Sequence, residues 1–291
     1  MSELVSMEGR IDLHIHTHPC LFPRIADDRK VAQAAAEARM KGIVLKCHHE
    51  STASRVYLLR NEFPRLDIYG GIVLNSYVGG INPAAVEACL RLGGRFVWMP
   101  TIDSAFHAQK HGGRTGVYDV QSSGREGEGK QGISILRDGE LIEEVRQVIE
   151  LAVEHSAAIA TCHLSFPESY ALLKAAREAG AEKLMITHPF FKVPALTLEE
   201  TGQLVALGAY AEFGFCTVSP MWQYATVDQV AEAVHRLGAS RCIMVSDGGQ
   251  THNPMPAEGL RVFLQGLLER GISSDDLDRM TIANPTVFLE N

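Results

Sequence analysis

The sequence lacks the features that mark membrane proteins and nucleic-acid-binding proteins. No stretch approaches the roughly 18 consecutive apolar residues that a membrane-spanning helix needs. The first residues, MSELVSME, carry acidic side chains where a signal peptide has basic and apolar ones. Lys and Arg number 27 against 35 Asp and Glu, and the formal charge of −8 argues against partners that bind by attraction to anionic polymers or lipids. We expect a cytoplasmic protein with no nucleic-acid partner and no membrane partner.

Motifs for disulfide frameworks, dinucleotides and nucleoside triphosphates are also missing. The six cysteines are scattered without a CxxC pair, and several lie in apolar runs, as Cys162 and Cys242 do. This distribution is typical of small buried thiols in a reducing compartment. No GxGxxG follows the first predicted strand and no GxxxxGK[ST] occurs, so neither dinucleotide nor P-loop chemistry is supported.

What the sequence does contain is a strict alternation of short apolar runs and longer helical patterns. The predicted strands lie near 11–16, 42–48, 66–75, 95–103, 158–164, 183–189, 209–216 and 242–248. The predicted helices lie near 27–41, 53–63, 82–92, 140–156, 167–179, 197–207, 226–238 and 256–270. Eight strand–helix pairs in this order favour an α/β fold of the (β/α)8 TIM barrel type over an open doubly wound sheet. We predict a single domain over residues 1–291.

One segment interrupts the alternation. Residues 104–139 are rich in glycine and charge, as in SGREGEGKQG at 123–132. The segment follows the fourth predicted strand, on the face where barrel active sites form, and long loops in compact domains often act as lids. We expect a long Gly-rich loop that is either a lid or a surface insertion, and we interpret its histidines, His107 and His111, as solvated.

Histidines are abundant, and several of them lie at the ends of predicted strands. Twelve histidines occur, and the first predicted strand ends DLHIHTHP, with His14, His16 and His18 at alternate positions. Side chains alternate across a strand, so we expect these histidines and Asp12 to share one face. The apolar residues that alternate with them suit the surrounding helices, which directs the histidines into the barrel.

Other predicted strands end in residues of the same kind. The fifth ends at His163, the sixth at His188 and the eighth at Asp247, and the second runs through Lys46 to His48. The carboxyl ends of parallel barrel strands meet at one mouth, so we expect these side chains to converge. Imidazole and carboxylate groups are ligands for zinc, manganese and iron. We predict one or two divalent metal ions here, zinc first, with manganese or iron as alternatives.

This pattern resembles the amidohydrolase superfamily and the related PHP (polymerase-and-histidinol-phosphatase) phosphoesterases. The match consists of the HxH of the first strand, the histidines of strands five and six and the aspartate of strand eight, and the strand order covers nearly the whole chain. By this resemblance, His14 and His16 bind the more buried metal, and His163 and His188 bind the second. Asp247 binds metal and handles the proton of the attacking water. The resemblance implies a metal-dependent hydrolase of a small amide, ester or lactone, often a homo-oligomer.

Two departures from the pattern of that superfamily bear on the chemistry. The fourth predicted strand ends at Asp103, whereas a Glu or a carbamylated Lys often bridges the metals there. Lys46 has inward parity on strand two beside His48, so we consider a carbamylated bridge, a cation that holds substrate and a lysine that extends to solvent. A cation there would stabilise a developing oxyanion, a role also open to His188. At strand eight, Asp247 lacks the DxH pair of phosphoesterases.

Further candidates lie around the mouth. We expect His18, Arg24 and His252 to contact substrate and Glu212 to orient a ligand histidine. The same ligand set leaves other functions open: a non-haem iron oxygenase, a decarboxylase, a PHP-type phosphoesterase or a metal-binding barrel without catalysis.

Overall fold

Eight parallel strands form the central sheet of the protein. The computed structural model describes residues 4–119 and 131–290, together with the backbone of residues 121–128. In chain order the barrel strands are β1 (Ile11–Ile15), β2 (Gly42–Leu45), β3 (Asp67–Val73), β4 (Phe96–Trp98), β9 (Ala158–Ala160), β10 (Leu184–Thr187), β11 (Tyr210–Gly214) and β12 (Cys242–Val245). They pair in this order, and a parallel bridge from Ile15 to Gly248 joins the end of β12 to β1. The prediction of a (β/α)8 TIM barrel is confirmed.

Helices follow the barrel strands on the outside. The eight that match the predicted helices are α1 (Asp28–Glu37), α2 (Ala53–Arg60), α3 (Pro83–Arg91), α5 (Glu143–Glu154), α6 (Phe166–Glu178), α7 (Leu198–Ala206), α9 (Val227–Leu237) and α10 (Pro256–Leu268). Shorter segments are α4 (Ala105–Lys110), α8 (Phe215–Val218), α11 (Ser274–Asp278) and α12 (Asn284–Leu289), with a π-helical turn at Arg279–Ala283. Side-chain hydrogen bonds mark the positions where helices begin. Before α7, the Thr197 hydroxyl accepts from the backbone N–H of Glu200 at 3.1 Å, and the Glu200 carboxylate accepts from the backbone N–H of Thr197 at 2.8 Å.

Apolar side chains fill the barrel below its mouth. Leu13, Val44 and Trp98 belong to this interior cluster, whereas a larger cluster lies between the sheet and the surrounding helices. A filled interior leaves the carboxyl ends of the strands as the place where polar side chains can gather. Within the described residues, no helix combines the length and the apolar character needed to cross a membrane.

The segment after β4 holds secondary structure instead of the expected loop. The short helix α4 is followed by the hairpin of β5 (Arg114–Tyr118) and β6 (Gln121–Glu128), and then by the pair β7 (Leu136–Arg137) and β8 (Glu140–Leu141). Glycine supports this hairpin, because Gly116 adopts a φ of 74° where the pairing register of β5 shifts. Residues 120, 129 and 130 of the predicted loop lie outside the described residues.

Candidate metal centre

The ends of the barrel strands surround one cavity at the carboxyl end of the barrel. Its volume is about 30 Å³. All the residues predicted as metal ligands line it: His14, His16, Lys46, His48, His163, His188 and Asp247. The structure therefore shows that these strand-end side chains converge at the mouth of the barrel, as the strand order alone predicted.

The histidines of β1 reach this cavity through a break in strand pairing. Asp12 pairs with Ile43 and Ile15 with Leu45, so β1 advances three residues while β2 advances two. One extra residue in a strand moves the side chains that follow it to the other face.

The bulge corrects the predicted orientation of β1. Ile11 and Leu13 pack in the barrel interior, whereas Ile15 packs outward against the helices. The prediction that all three face the helices is therefore wrong for Ile11 and Leu13. His14 and His16 nevertheless line the cavity, because the extra residue returns them to the inner face.

His14, His16 and Asp247 bring three ligand atoms to one point. The Nε2 atoms of the two histidines are 3.2 Å apart, and Asp247 Oδ1 lies 3.2 Å from the first and 3.3 Å from the second. Bonds of about 2.1 Å to a central ion would separate such atoms by about 3.0 Å in octahedral and about 3.4 Å in tetrahedral geometry. The observed separations fall between these values, so the three atoms fit the coordination of one divalent cation.

Hydrogen bonds on the far side of each ring determine where its proton lies. His14 Nδ1 is 2.9 Å from Glu212 Oε1, and His16 Nδ1 donates to the carbonyl oxygen of Lys46 at 3.0 Å. A neutral ring that donates through Nδ1 presents a lone pair at Nε2. Two lone pairs and a carboxylate oxygen then face one another, an arrangement that a cation stabilises. Glu212 thus has the place expected of a residue that orients a ligand histidine.

Burial sets the ionisation of these groups. It lowers the pKa of His14 to about 3 and that of His16 well below its usual value, so both rings are neutral at neutral pH. It raises the pKa of Asp247 and raises that of Glu212 to about 8. A divalent cation at the His14 nitrogen would offset the lost hydration and keep both carboxyl groups ionised.

His163 and His188, which follow β9 and β10, form another side of the cavity, with ring centroids 5.1 Å apart. His163 Nδ1 lies 2.8 Å from His107 Nδ1, and His107 Nε2 lies 2.7 Å from the carbonyl oxygen of Val117. A carbonyl only accepts, so a neutral His107 donates from Nε2 and accepts at Nδ1. His163 then donates from Nδ1 and keeps its Nε2 lone pair for a ligand. Among the described residues, His188 Nδ1 is buried without a hydrogen-bond partner.

Three residues at the strand ends adopt left-handed backbone conformations. The φ angles are 51° at Cys162, 30° at His188 and 44° at Asp247. Residues other than glycine rarely adopt positive φ, and such positions cluster at functional sites. Two of the three residues are predicted metal ligands.

Lys46 and His48, in the segment after β2, also line the cavity. Lys46 is 2% exposed, so the interpretation of a lysine that extends to solvent is wrong. Its Nζ donates to Cys162 Sγ at 3.6 Å and lies 5.4 Å from the centroid of the Trp98 ring. His48 stacks on His16 with centroids 4.6 Å apart. The carbamylated bridge and the substrate-binding cation both stay predictions.

Of the three residues predicted to contact substrate, one lines the cavity and the other two lie beside it. Arg24 lines the cavity, and its Nη2 is buried without a hydrogen-bond partner among the described residues. His18 Nε2 accepts from the backbone N–H of Arg24 at 3.1 Å and thereby supports the loop that carries it. His252 packs against Trp222 at 5.6 Å. Arg24 alone of the three lines the cavity in the described part of the chain.

Aromatic side chains form part of the cavity wall. The ring centroid of Tyr118, at the end of β5, lies 6.4 Å from that of Phe191 and 6.1 Å from that of Trp222. All three line the cavity. Because Tyr118 belongs to the insertion, the insertion reaches the predicted metal ligands, as the lid hypothesis requires.

Sequence reasoning missed His107, which lies beside the predicted metal ligand His163. His107 is fully buried and His111 is 6% exposed, so the prediction that both are solvated is wrong. The available signal was Ser104 three residues before His107, since the Ser104 hydroxyl accepts from the His107 N–H at 2.9 Å and starts α4. Asp103, the alternative bridge, accepts from the Ser76 N–H at 2.9 Å and does not line the cavity formed by the described residues.

The same fold occurs in solved TIM-barrel hydrolases. An amidohydrolase from Pseudomonas aeruginosa matches with a TM-score of 0.63 at 12% identity, over 96% of this chain and 95% of that one. An organophosphorus hydrolase from Deinococcus radiodurans matches with a TM-score of 0.58 at 14% identity, over 99% and 94%. The phosphotriesterase homology protein from Escherichia coli, with phosphate in its active site, matches with a TM-score of 0.57 at 14% identity, over 97% and 100%. The resemblance to amidohydrolase barrels is confirmed at the level of the fold.

The chain belongs to the family described as "Family of unknown function (DUF6282)", which matches residues 9–212. That range contains β1 to β10 and most of β11, and with them the histidines predicted to bind metal, whereas Asp247 lies beyond it. No curated protein matches the chain.

Proposed function

We propose that this protein is a metal-dependent hydrolase of a small anionic organic substrate, such as an amide, ester or lactone that carries a carboxylate. The observation that carries the proposal is the convergence of His14 Nε2, His16 Nε2 and Asp247 Oδ1 within 3.3 Å of one another. This donor set suits zinc, with manganese or iron as alternatives. A metal bound there supplies an activated water and polarises the bond to be cleaved.

Asp247 is the residue best placed to take a proton in the cavity. Its Oδ1 lies 3.2 Å from His14 Nε2 and 3.3 Å from His16 Nε2, so a water bound to a metal there would lie beside this carboxylate. Burial raises the pKa of this carboxyl group, which favours proton uptake during the reaction. Lys46 and His188 border the same cavity and would stabilise negative charge that develops on the substrate.

The anionic character of the substrate follows from Arg24. This guanidinium group lines the cavity and has a buried Nη2 that lacks a hydrogen-bond partner among the described residues. An unpaired buried donor is costly, and a carboxylate is the group that a guanidinium binds best. A cavity of about 30 Å³ holds a water molecule rather than an organic ligand. Movement of the insertion that carries Tyr118 would enlarge the cavity for such a substrate, as lids do.

The test is a comparison of native and chelated protein. Protein purified without added metal is analysed for metal content and assayed against panels of carboxylate-bearing esters, amides and lactones, with phosphoesters alongside. We expect bound metal, hydrolysis of at least one carboxylate-bearing class, loss of that activity on chelation and recovery when metal is returned. His16→Ala should lose both metal and activity.

Two results would contradict the proposal. One is hydrolysis that is indifferent to chelation and to His16→Ala. The other is bound iron with turnover that requires oxygen, which would favour the oxygenase alternative. Cleavage of phosphoesters alone would favour the phosphoesterase.

A further inference from the structure

A second group of potential metal ligands lies outside the catalytic cavity. Cys20 belongs to the loop after β1, and Cys47 and His49 belong to the segment after β2. His49 Nδ1 is 3.7 Å from Cys20 Sγ and 4.0 Å from Cys47 Sγ, and the three donor atoms all lie within 4.8 Å of one another. Both thiols are free. Of the described residues that line the cavity, none belongs to this group.

The spacing of these atoms matches a tetrahedral site. With Zn–S bonds of about 2.3 Å and a Zn–N bond of about 2.0 Å, sulfur and nitrogen ligands are separated by about 3.5 Å. The two observed separations exceed that value by a few tenths of an ångström, which a small rotation of the thiols can remove. The His49 ring is already held, because it packs edge-on against Tyr77 at 4.6 Å. Metal binding would therefore require little further ordering of the His49 side chain.

The surroundings favour the thiolate form of Cys20, whereas the hydrogen bond to Cys20 and burial raise the pKa of the Cys47 thiol, so a metal would have to displace the proton of Cys47. The guanidinium of Arg24 places Nε 3.3 Å from Cys20 Sγ. Hydrogen bonds from Cys47 and His49, together with that cation, hold the pKa of the Cys20 thiol well below its usual range. The carbonyl oxygen of Pro19 lies 3.9 Å from Cys47 Sγ and accepts from Arg55 Nη1 at 3.2 Å, and its second lone pair could fill a fourth position.

We propose that Cys20, Cys47 and His49 form a second metal site that takes one thiophilic divalent cation such as Zn²⁺. The fourth position is filled by the Pro19 carbonyl or by water. This site joins the loops after β1 and β2, and Cys20 connects it to Arg24 of the catalytic cavity. The proposal does not rest on the hydrolase function.

Cobalt binding tests the site through a signal that the histidine–carboxylate centre does not produce. Co²⁺ is titrated into reduced, metal-free protein, and the near-ultraviolet charge-transfer absorption of thiolate–cobalt bonds is recorded. We expect this band in the wild type, its loss in Cys20→Ser and Cys47→Ser, and weaker cobalt binding in His49→Ala. The matched controls are Cys216→Ser, which removes a thiol that lines the cavity, and Cys89→Ser in α3. Both should keep the band.

A direct metal count completes the experiment. Zinc per chain should fall by about one in Cys20→Ser and stay unchanged in Cys89→Ser. Absence of the band in the wild type, or its persistence in folded Cys20→Ser and Cys47→Ser, overturns the proposal. So does a Cys20–Cys47 disulfide, seen as the loss of two hydrogens by intact mass, that still forms in protein kept with excess zinc. Circular dichroism of each variant confirms that it is folded.

Discussion

The Nδ1 atoms of His107 and His163 lie 2.8 Å apart, so a histidine of the insertion determines the proton position of a histidine on the barrel. His107 is itself oriented by the Val117 carbonyl at 2.7 Å. The hairpin, α4 and the candidate metal centre therefore form one hydrogen-bonded unit. Movement of the insertion would release His163 from the tautomer that suits metal binding, which couples access to the cavity with metal affinity.

His107→Phe should lower metal affinity about 10- to 100-fold, the usual cost of losing a partner that orients a ligand histidine. The aromatic ring keeps the volume of the buried site but cannot accept from His163. Affinity is measured by competition with a chromophoric chelator. His235→Phe, at an exposed position of α9, is the control. Equal affinity in the two variants would show that His107 does not position His163.

Glu212→Gln should also weaken metal binding about 10- to 100-fold, because the charge that raises the basicity of His14 is lost while the shape is kept. Calorimetric titration with zinc measures the change. Glu258→Gln, which alters an exposed ion pair with Arg261 on α10, should bind zinc like the wild type. A Glu212→Gln variant with wild-type affinity for zinc would show that Glu212 does not support metal binding by His14.

Asp247→Asn should reduce kcat about 10²- to 10⁴-fold at saturating metal, because the amide cannot take the proton of the attacking water. The acid limb of the kcat profile, which reports protonation of this carboxyl group, should disappear as well. Steady-state kinetics across pH provide both readouts. A kcat within twofold of the wild type, or an unchanged acid limb, would assign the base to another residue.

Arg24→Met should raise KM for carboxylate-bearing substrates about 10- to 100-fold, the cost of one charge-assisted hydrogen bond. A neutral isostere of the same substrate is the matched control, since its KM should change little. Parallel measurement of the two substrates in both proteins gives the comparison. Equal losses for both would mean that Arg24 supports the fold of the loop rather than recognising an anion.

Asp12 should make the stability of the metal-free protein depend on pH. Burial raises the pKa of this carboxyl group to about 7, so the folded state binds the proton more tightly than the unfolded state. Its contribution is complete below about pH 4 and is lost as the pH rises to about 7, at up to about 1.4 kcal/mol per pH unit. Urea unfolding of chelated Asp12→Asn at pH 5 and pH 8 should show a smaller decline than the wild type. An equal decline in the free energy of unfolding for both proteins would show that Asp12 does not cause the pH dependence.

The strand ends show how far local sequence reasoning reaches. Each barrel strand is an apolar run with its own turn signals, so the eight strands and their order could be predicted, and in a parallel barrel the order alone brings His14, His163 and Asp247 to one mouth. The same reasoning failed for His107, because glycine-rich composition hid a helix that begins with a single serine cap. For Lys46, parity correctly placed the side chain inward but did not determine where its ammonium group ends.

The sequence by itself determined the barrel and the chemical character of its mouth, because strand periodicity and strand-end residues are properties of short segments. Only the tertiary structure decided which atoms meet. The bulge in β1, the Glu212 carboxylate on His14 and the thiols of Cys20 and Cys47 around His49 all depend on contacts across the fold. His14 and Glu212 are 198 residues apart in the chain and 2.9 Å apart in space. No local pattern encodes that proximity, because it arises when β11 closes against β12 and β12 meets β1.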